Sequence, residues 1–189
     1  MSGKSALQLF TLGHSTRTIE RLIRVVTAYN IEILVDIRRY PKSHRNPQFS
    51  SNTIKQELSK NRIQYLWLPE LGGRRKGLGE SSKNKCWKNQ SFRNYADYME
   101  TESFRKGIDE LLKLSAEGTV AIMCAEALYW RCHRSMIADF LKSLNVQVTH
   151  IFDEKKAHVH EYTQCAKIID GYLTYHVSTA QSSSQAAGS

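Results

Sequence analysis

TVAIMCAEALYWRCHR, residues 119–134, is the stretch on which the reading of this chain turns. It opens as a short apolar run, residues 120–123, of the kind that forms a buried strand. It then sets Cys124, Glu126, Arg131, Cys132, His133 and Arg134 within eleven residues. Beyond them Met136, Ile137, Phe140, Leu141 and Leu144 recur at helical spacing. Strand, polar loop and amphipathic helix follow one another, and in open α/β sheets ligands bind at such a junction, at the carboxyl end of a strand. A thiol, a carboxylate, an imidazole and two guanidinium groups in one connection mark a candidate site.

The same alternation extends outward in both directions. Residues 9–12 form a first strand ending in Gly13-His14-Ser15, and Thr18 caps a helix with Ile19, Leu22, Ile23 and Val26 on one face. Residues 33–35 form a buried strand ending at Asp36, followed by a polar loop from Arg38 to Pro47. Ser51 or Asn52 opens a short helix, and residues 63–68 form another strand ending in Pro69-Glu70-Leu71-Gly72-Gly73. A basic loop spans residues 74–89; helical spacing returns at Phe92, Tyr95 and Met99, and again at Phe104, Ile108 and Leu111. Residues 146–152 read as a fifth strand, 157–169 as a weak helix or loop, and 172–175 as a short edge strand. The expected fold is therefore α/β: one domain over residues 1–177, with a mostly parallel central sheet of about five strands and helices on both faces. The Ser/Ala/Gln-rich residues 178–189 read as a disordered tail.

Composition sets the outer limits. A length of 189 residues with 41% hydrophobic content suits a single domain with a sizeable core. No apolar run approaches the roughly 20 residues of a membrane span, and the first residues lack the apolar segment of a signal peptide. An intracellular, cytoplasmic protein is expected, with the four cysteines reduced. The net charge of +9 points to a polyanionic partner, of which nucleic acid is the obvious one. Arg38, Arg39, Lys42 and Arg45 with Tyr40 form one basic patch; Arg74, Arg75 and Lys76 with neighbouring lysines and Trp87 form another. Arg and Lys meet phosphates, and interleaved aromatic rings stack on bases. The glycines make no G-x-G-x-x-G pattern after a strand, so no dinucleotide cofactor is expected. Cys124, Cys132 and His133, or His150, His158 and His160, lack the usual short ligand spacing of zinc sites, so no metal is expected either.

Thr11-Leu12-Gly13-His14-Ser15, Val35-Asp36-Ile37-Arg38, Leu71-Gly72-Gly73, Met123-Cys124-Ala125-Glu126, Cys132-His133-Arg134, and His150 followed by His158 together resemble the family catalogued as domain of unknown function 488. They run in family order over roughly residues 8–176. Some members are fused to helix-hairpin-helix base-excision glycosylases, so the resemblance implies an association with DNA repair. His158-Val159-His160 departs from the His-Pro expected there.

The leading expectation is an enzyme that processes nucleic acid, removing a damaged base. Asp36 and Glu126 would activate water or stabilise an oxocarbenium-like sugar, with His14, His133 and Cys124 beside them. Arg38, Arg131 and Arg134 would hold phosphate or orient the carboxylates, and Tyr129 and Trp130 would stack on a flipped base. Sulfur or phosphoryl transfer through Cys124 is an alternative, since nearby positive charge activates a thiol. Against it, Cys124 and Arg131 lie farther apart than in the anion-cradling loops of rhodaneses and phosphatases, and Glu126 lies between them. A non-catalytic nucleic-acid-binding module is the third reading.

Overall fold

The structure is a computed structural model describing residues 7–42 and 46–177. The loop position Arg45 and the tail from 178 onward lie outside the described residues. In chain order the elements are β1 (Gln8–Gly13), α1 (Ile19–Ala28), β2 (Ile33–Asp36), α2 (Ser51–Lys60), β3 (Gln64–Trp67), α3 (Gln90–Met99), α4 (Glu102–Glu117), β4 (Val120–Cys124), α5 (Arg134–Ser143), β5 (Gln147–Ile151), β6 (Ala157–Val159), β7 (Lys167–Ile169) and β8 (Tyr172–Thr174).

Side chains alternate across the sheet and bury both of its faces. Leu9, Val120 and Ile122 point to one side, where Phe104, Ile108 and Leu111 of α4 and Met136, Ile137 and Leu141 of α5 meet them. Phe10, Leu12, Ala121 and Met123 point to the other, against Leu22, Val25 and Val26 of α1 and Ile54 and Leu58 of α2. This period of two, with both faces apolar, makes the central strands continuous hydrophobic runs. Helix starts follow local chemistry: the Thr18 hydroxyl accepts the Arg21 N–H, Asn89 caps α3, and Thr101 caps α4.

The six-stranded sheet runs β3-β2-β4-β1-β5-β6. Its first five strands are parallel, and β6 pairs antiparallel with β5 at the edge. The chain leaves β1 through α1 toward β2 on one face, and leaves its neighbour β4 through α5 toward β5 on the other. Two adjacent strands whose connections diverge leave a crevice at their carboxyl ends.

Two features differ from the sequence reading. Residues 157–169 hold no helix: they contain β6 and β7, the latter pairing with β8 as a two-stranded hairpin. Each of these strands is three residues long and largely exposed, too short and too polar for a periodic signal. Cys86 and Cys165 are not free thiols but form a disulfide, with Cα atoms 5.7 Å apart across 79 residues of sequence. The bridge pins the hairpin region to the start of α3, where the Trp87 ring meets Tyr175 at 5.5 Å and Phe92 at 5.0 Å. Among the described residues no helix is long and apolar enough to cross a membrane.

Candidate active site

The crevice is a cleft of about 790 Å³ over the carboxyl ends of the parallel strands. Register brings its parts together: Gly13 lies opposite Cys124, and Asp36 opposite Met123. The loop after β4 crosses directly over Gly13. A Cβ there would sit 1.9 Å from the Glu126 carbonyl oxygen, so only glycine lets the loop pass. Arg134, buried at the start of α5, donates from Nη2 to that same carbonyl oxygen and to that of Ala127. Among the described residues its guanidinium forms no ion pair, and its Nε finds no acceptor. Arg134, buried and bonded to the carbonyls of Glu126 and Ala127, holds the Glu126 loop in place rather than facing the cleft as a phosphate ligand.

Glu126 is exposed in the cleft, with Oε1 accepting the Leu128 N–H at 3.2 Å. Arg38, Arg39, Lys42, Arg74 and Arg131 line the same cleft, as do Cys124, Cys132 and His133. Among the described lining residues Glu126 is the single carboxylate in a cationic surround.

Asp36 is not a free second carboxylate. It is fully buried, and its oxygens accept from the Arg38 backbone N–H at 3.0 Å, Arg38 Nε at 2.9 Å, Arg38 Nη2 at 2.5 Å and the Tyr65 hydroxyl at 2.7 Å. Every lone pair is engaged and no face opens to the cleft, so the expected acid/base role of Asp36 gives way to a structural one. Arg38 continues the chain, donating from Nη2 to the Phe49 carbonyl at 2.8 Å and from Nη1 to His14 Nε2 at 3.2 Å. His14 Nδ1–H donates to the Ser15 carbonyl at 2.9 Å, and its ring stacks on Phe49 at 4.1 Å. Burial, then the Arg38 charge, pushes the His14 imidazole down to about 4, so the ring is neutral. His14 is a hydrogen-bond acceptor that orients Arg38 rather than a base in the cleft.

Other expected residues are also placed elsewhere. The Tyr129 ring lies flat on His150, 3.6 Å between centroids at 6°, which occupies a stacking face. Trp130 is exposed edge-on to Tyr129, and neither ring lines the cleft. Arg75 is consumed by the carbonyls of Gly72, Pro69 and Glu70 and sits over the Tyr98 ring at 3.7 Å. The aromatic lining comes instead from Tyr40, Phe92 and Tyr95. Phe92 and Tyr95 stand outside the sequence-predicted site residues because nothing in one sequence says which helix faces the cleft.

The cleft floor holds the two thiols left outside the disulfide. Cys132 Sγ lies 3.5 Å from His133 Nδ1. The Cys124 thiol is pushed well up by its hydrogen bond to Cys132 and by burial. The Cys132 thiol is pulled well down: burial opposes ionisation there, but the bonds from Cys124 and His133 outweigh it, with Arg134 adding its charge.

Behind β5 a second buried chain runs through the histidines. Thr11 Oγ1–H donates to His150 Nδ1 at 2.7 Å, His150 Nε2–H to His160 Nδ1 at 3.0 Å, and His160 Nε2–H to Asp139 at 2.9 Å. Asp139 also accepts from the Thr163 N–H, the Thr163 hydroxyl and the Tyr175 hydroxyl. His158 pairs with His150 across the strands, but the departure residue His160 carries the network. Burial, then His160 and Arg134, and lastly His158, push His150 down to about 2, from an ordinary 6.5. Its protonation favours the unfolded chain, so stability is full above the ordinary value and falls as pH drops below it. His150 alone is expected to remove about 1.4 kcal/mol per pH unit there. Urea titrations at successive pH values from 7 to 4 check this. The slope should flatten in His150→Gln, and an unchanged slope would refute the assignment.

The fold and site define a class: a three-layer α/β domain with one acidic side chain in a cationic cleft at the carboxyl edge of a parallel sheet. The family model described as "Domain of unknown function DUF488" matches residues 18–141, and the chain belongs to that family. Searches of curated proteins and of solved structures find no match.

Proposed function

We propose that this protein is an enzyme acting on nucleic acid, removing or processing a damaged base, with Glu126 as its catalytic carboxylate. The observation that carries the reading is the composition of the cleft. Glu126 stands alone among Arg39, Lys42, Arg74 and Arg131, all exposed. Such a rim attracts phosphates, while a carboxylate on the same wall suits the cationic sugar that forms as a glycosidic bond breaks. The volume of about 790 Å³ falls within the range of small-ligand pockets, and Tyr40, at 67% exposure, offers a ring for an unstacked base. Asp36 and His14 act behind this wall, orienting Arg38 and fixing the loop that carries Arg39 and Tyr40.

Transfer chemistry through Cys124 draws less support, because its thiol is driven toward the protonated form. A DNA or RNA substrate fits an intracellular, cytoplasmic setting. There thiols are usually reduced, and the Cys86–Cys165 bridge is the feature of the fold that departs from that expectation.

The test uses end-labelled oligonucleotides, single- and double-stranded, each with one deaminated, oxidised or alkylated base. Alkali then reveals abasic sites. Strand cleavage at one modification is expected. Salt-sensitive retention with no cleavage would replace the proposal with a binding module. Neither cleavage nor retention would leave the thiols as the remaining chemistry.

A further inference from the structure

Three groups at the cleft floor have no part in the carboxylate reading. Cys124 Sγ, Cys132 Sγ and a ring nitrogen of His133 lie within 4.8 Å of one another. We propose that Cys124, Cys132 and His133 form a zinc site of the open, three-ligand type, whose fourth position faces the cleft. The site stands on these ligand atoms and does not depend on which substrate the cleft takes.

Tetrahedral zinc, with bonds of about 2.3 Å to sulfur and about 2.0 Å to nitrogen, sets its sulfur donors about 3.8 Å apart and sulfur and nitrogen about 3.5 Å apart. Cys132 Sγ and His133 Nδ1 are already 3.5 Å apart. The other two separations, within 4.8 Å, need to close by about 1.3 Å at most, which side-chain rotation supplies. Cys132 is extended, at φ −135° and ψ 149°, whereas His133 is helical, at φ −56° and ψ −12°. That change of backbone between neighbours is what lets adjacent side chains converge, and Cys124 meets them from the end of β4. The spacing 124, 132, 133 therefore resembles no standard zinc pattern, although the fold assembles a two-sulfur, one-nitrogen donor set.

One further observation points to an occupant at Nδ1. Gly73 abuts the ring: a Cβ there would lie 2.9 Å from Nδ1 and 3.1 Å from Cε1, so the absence of a side chain keeps the space beside that nitrogen clear. Thiolate and imidazole donors favour zinc over magnesium or calcium, which take oxygen ligands. Three protein ligands beside a cleft match zinc sites that keep a fourth position for an exogenous oxygen. Arg131 and Arg74 on the same wall suit a phosphate oxygen there.

The experiment takes the full chain purified under argon without chelator or added thiol. Zinc per chain is measured by elemental mass spectrometry, and Co²⁺ is then titrated into the stripped protein. One zinc per chain is expected, with one equivalent of Co²⁺ giving thiolate-to-metal charge-transfer absorption and the intense visible bands of a tetrahedral ion. Cys132→Ser and His133→Asn should each lose stoichiometric binding while circular dichroism shows the fold retained. Gly73→Ala should weaken Co²⁺ binding roughly 10–100-fold, the range for disturbing the support of a ligand. Wild-type protein without the charge-transfer band would overturn the proposal. So would a Cys124–Cys132 disulfide in the fresh protein, or unchanged binding in the Cys132→Ser/His133→Asn double variant. These readouts are independent of oligonucleotide cleavage, so either reading can fail without the other.

Discussion

Replacing Asp36 with Asn is expected to lower the free energy of unfolding by about 3–5 kcal/mol, the usual cost of stranding one member of a buried ion pair. That is a large part of the 5–15 kcal/mol by which domains are typically stable. The loss has a specific origin. Asp36 is 0% exposed and Arg38 6%, so water cannot replace the lost charge. Burial works against the Arg38 cation, but the hydrogen bonds and charge of Asp36 outweigh it and hold the guanidinium's pKa above its ordinary value. An Asn amide group would also face the Arg38 N–H donors with donors of its own. Arg38→Met in the same background should recover part of the loss, because an uncharged pair of matching volume needs no compensation. Urea unfolding of the two single variants and the double variant measures this. A loss below about 1 kcal/mol for Asp36→Asn would show that the pair is not what holds the three strand ends together. A catalytic Asp36 would give the opposite result, with activity lost and stability kept.

What the sequence makes legible here follows from where the signal is strong. The central strands β1, β2 and β4 are dominated by apolar residues because both their faces are covered, and they are found where periodicity places them. The carboxyl-edge gathering of His14, Arg38, Cys124 and Glu126 also follows, since parallel strands end on one side whatever their order. What a side chain does at that edge is not local information. Asp36 and Arg38 stand two apart, on one face of an extended segment, which was a readable hint that they pair. Their burial by Tyr65 and Phe49 depends on α2 and β3 packing from elsewhere. Tyr129 shows the same limit from the other direction. Its ring belongs by sequence to the site loop, but the fold turns it onto His150 of β5. The Cys86–Cys165 bridge and the β7–β8 hairpin lie beyond reach for a further reason, since one rests on contact across 79 residues and the other on strands too short to show a period.

Glu126→Gln is expected to lower base-removal turnover by about 10²–10⁴-fold, the usual contribution of a positioned acid/base group. Binding to the same oligonucleotide should be retained. The substitution suits the question because it separates charge from shape. The amide oxygen of Gln can still accept the Leu128 N–H that Glu126 Oε1 accepts at 3.2 Å. The loop is held independently, through the Glu126 carbonyl, by Arg134 and by its passage over Gly13. Thermal unfolding should therefore be unchanged within about 0.5 kcal/mol, as for an exposed position. Removing a negative charge from a cationic cleft should, if anything, tighten phosphate binding and steepen its salt dependence. Loss of turnover with tighter binding is thus the signature of a carboxylate that acts on the reacting sugar rather than on its phosphates. Equal loss of turnover and binding would make Glu126 a positioning group, and unchanged turnover would remove it from the chemistry and shift the reaction to the cleft floor at Cys124, Cys132 and His133.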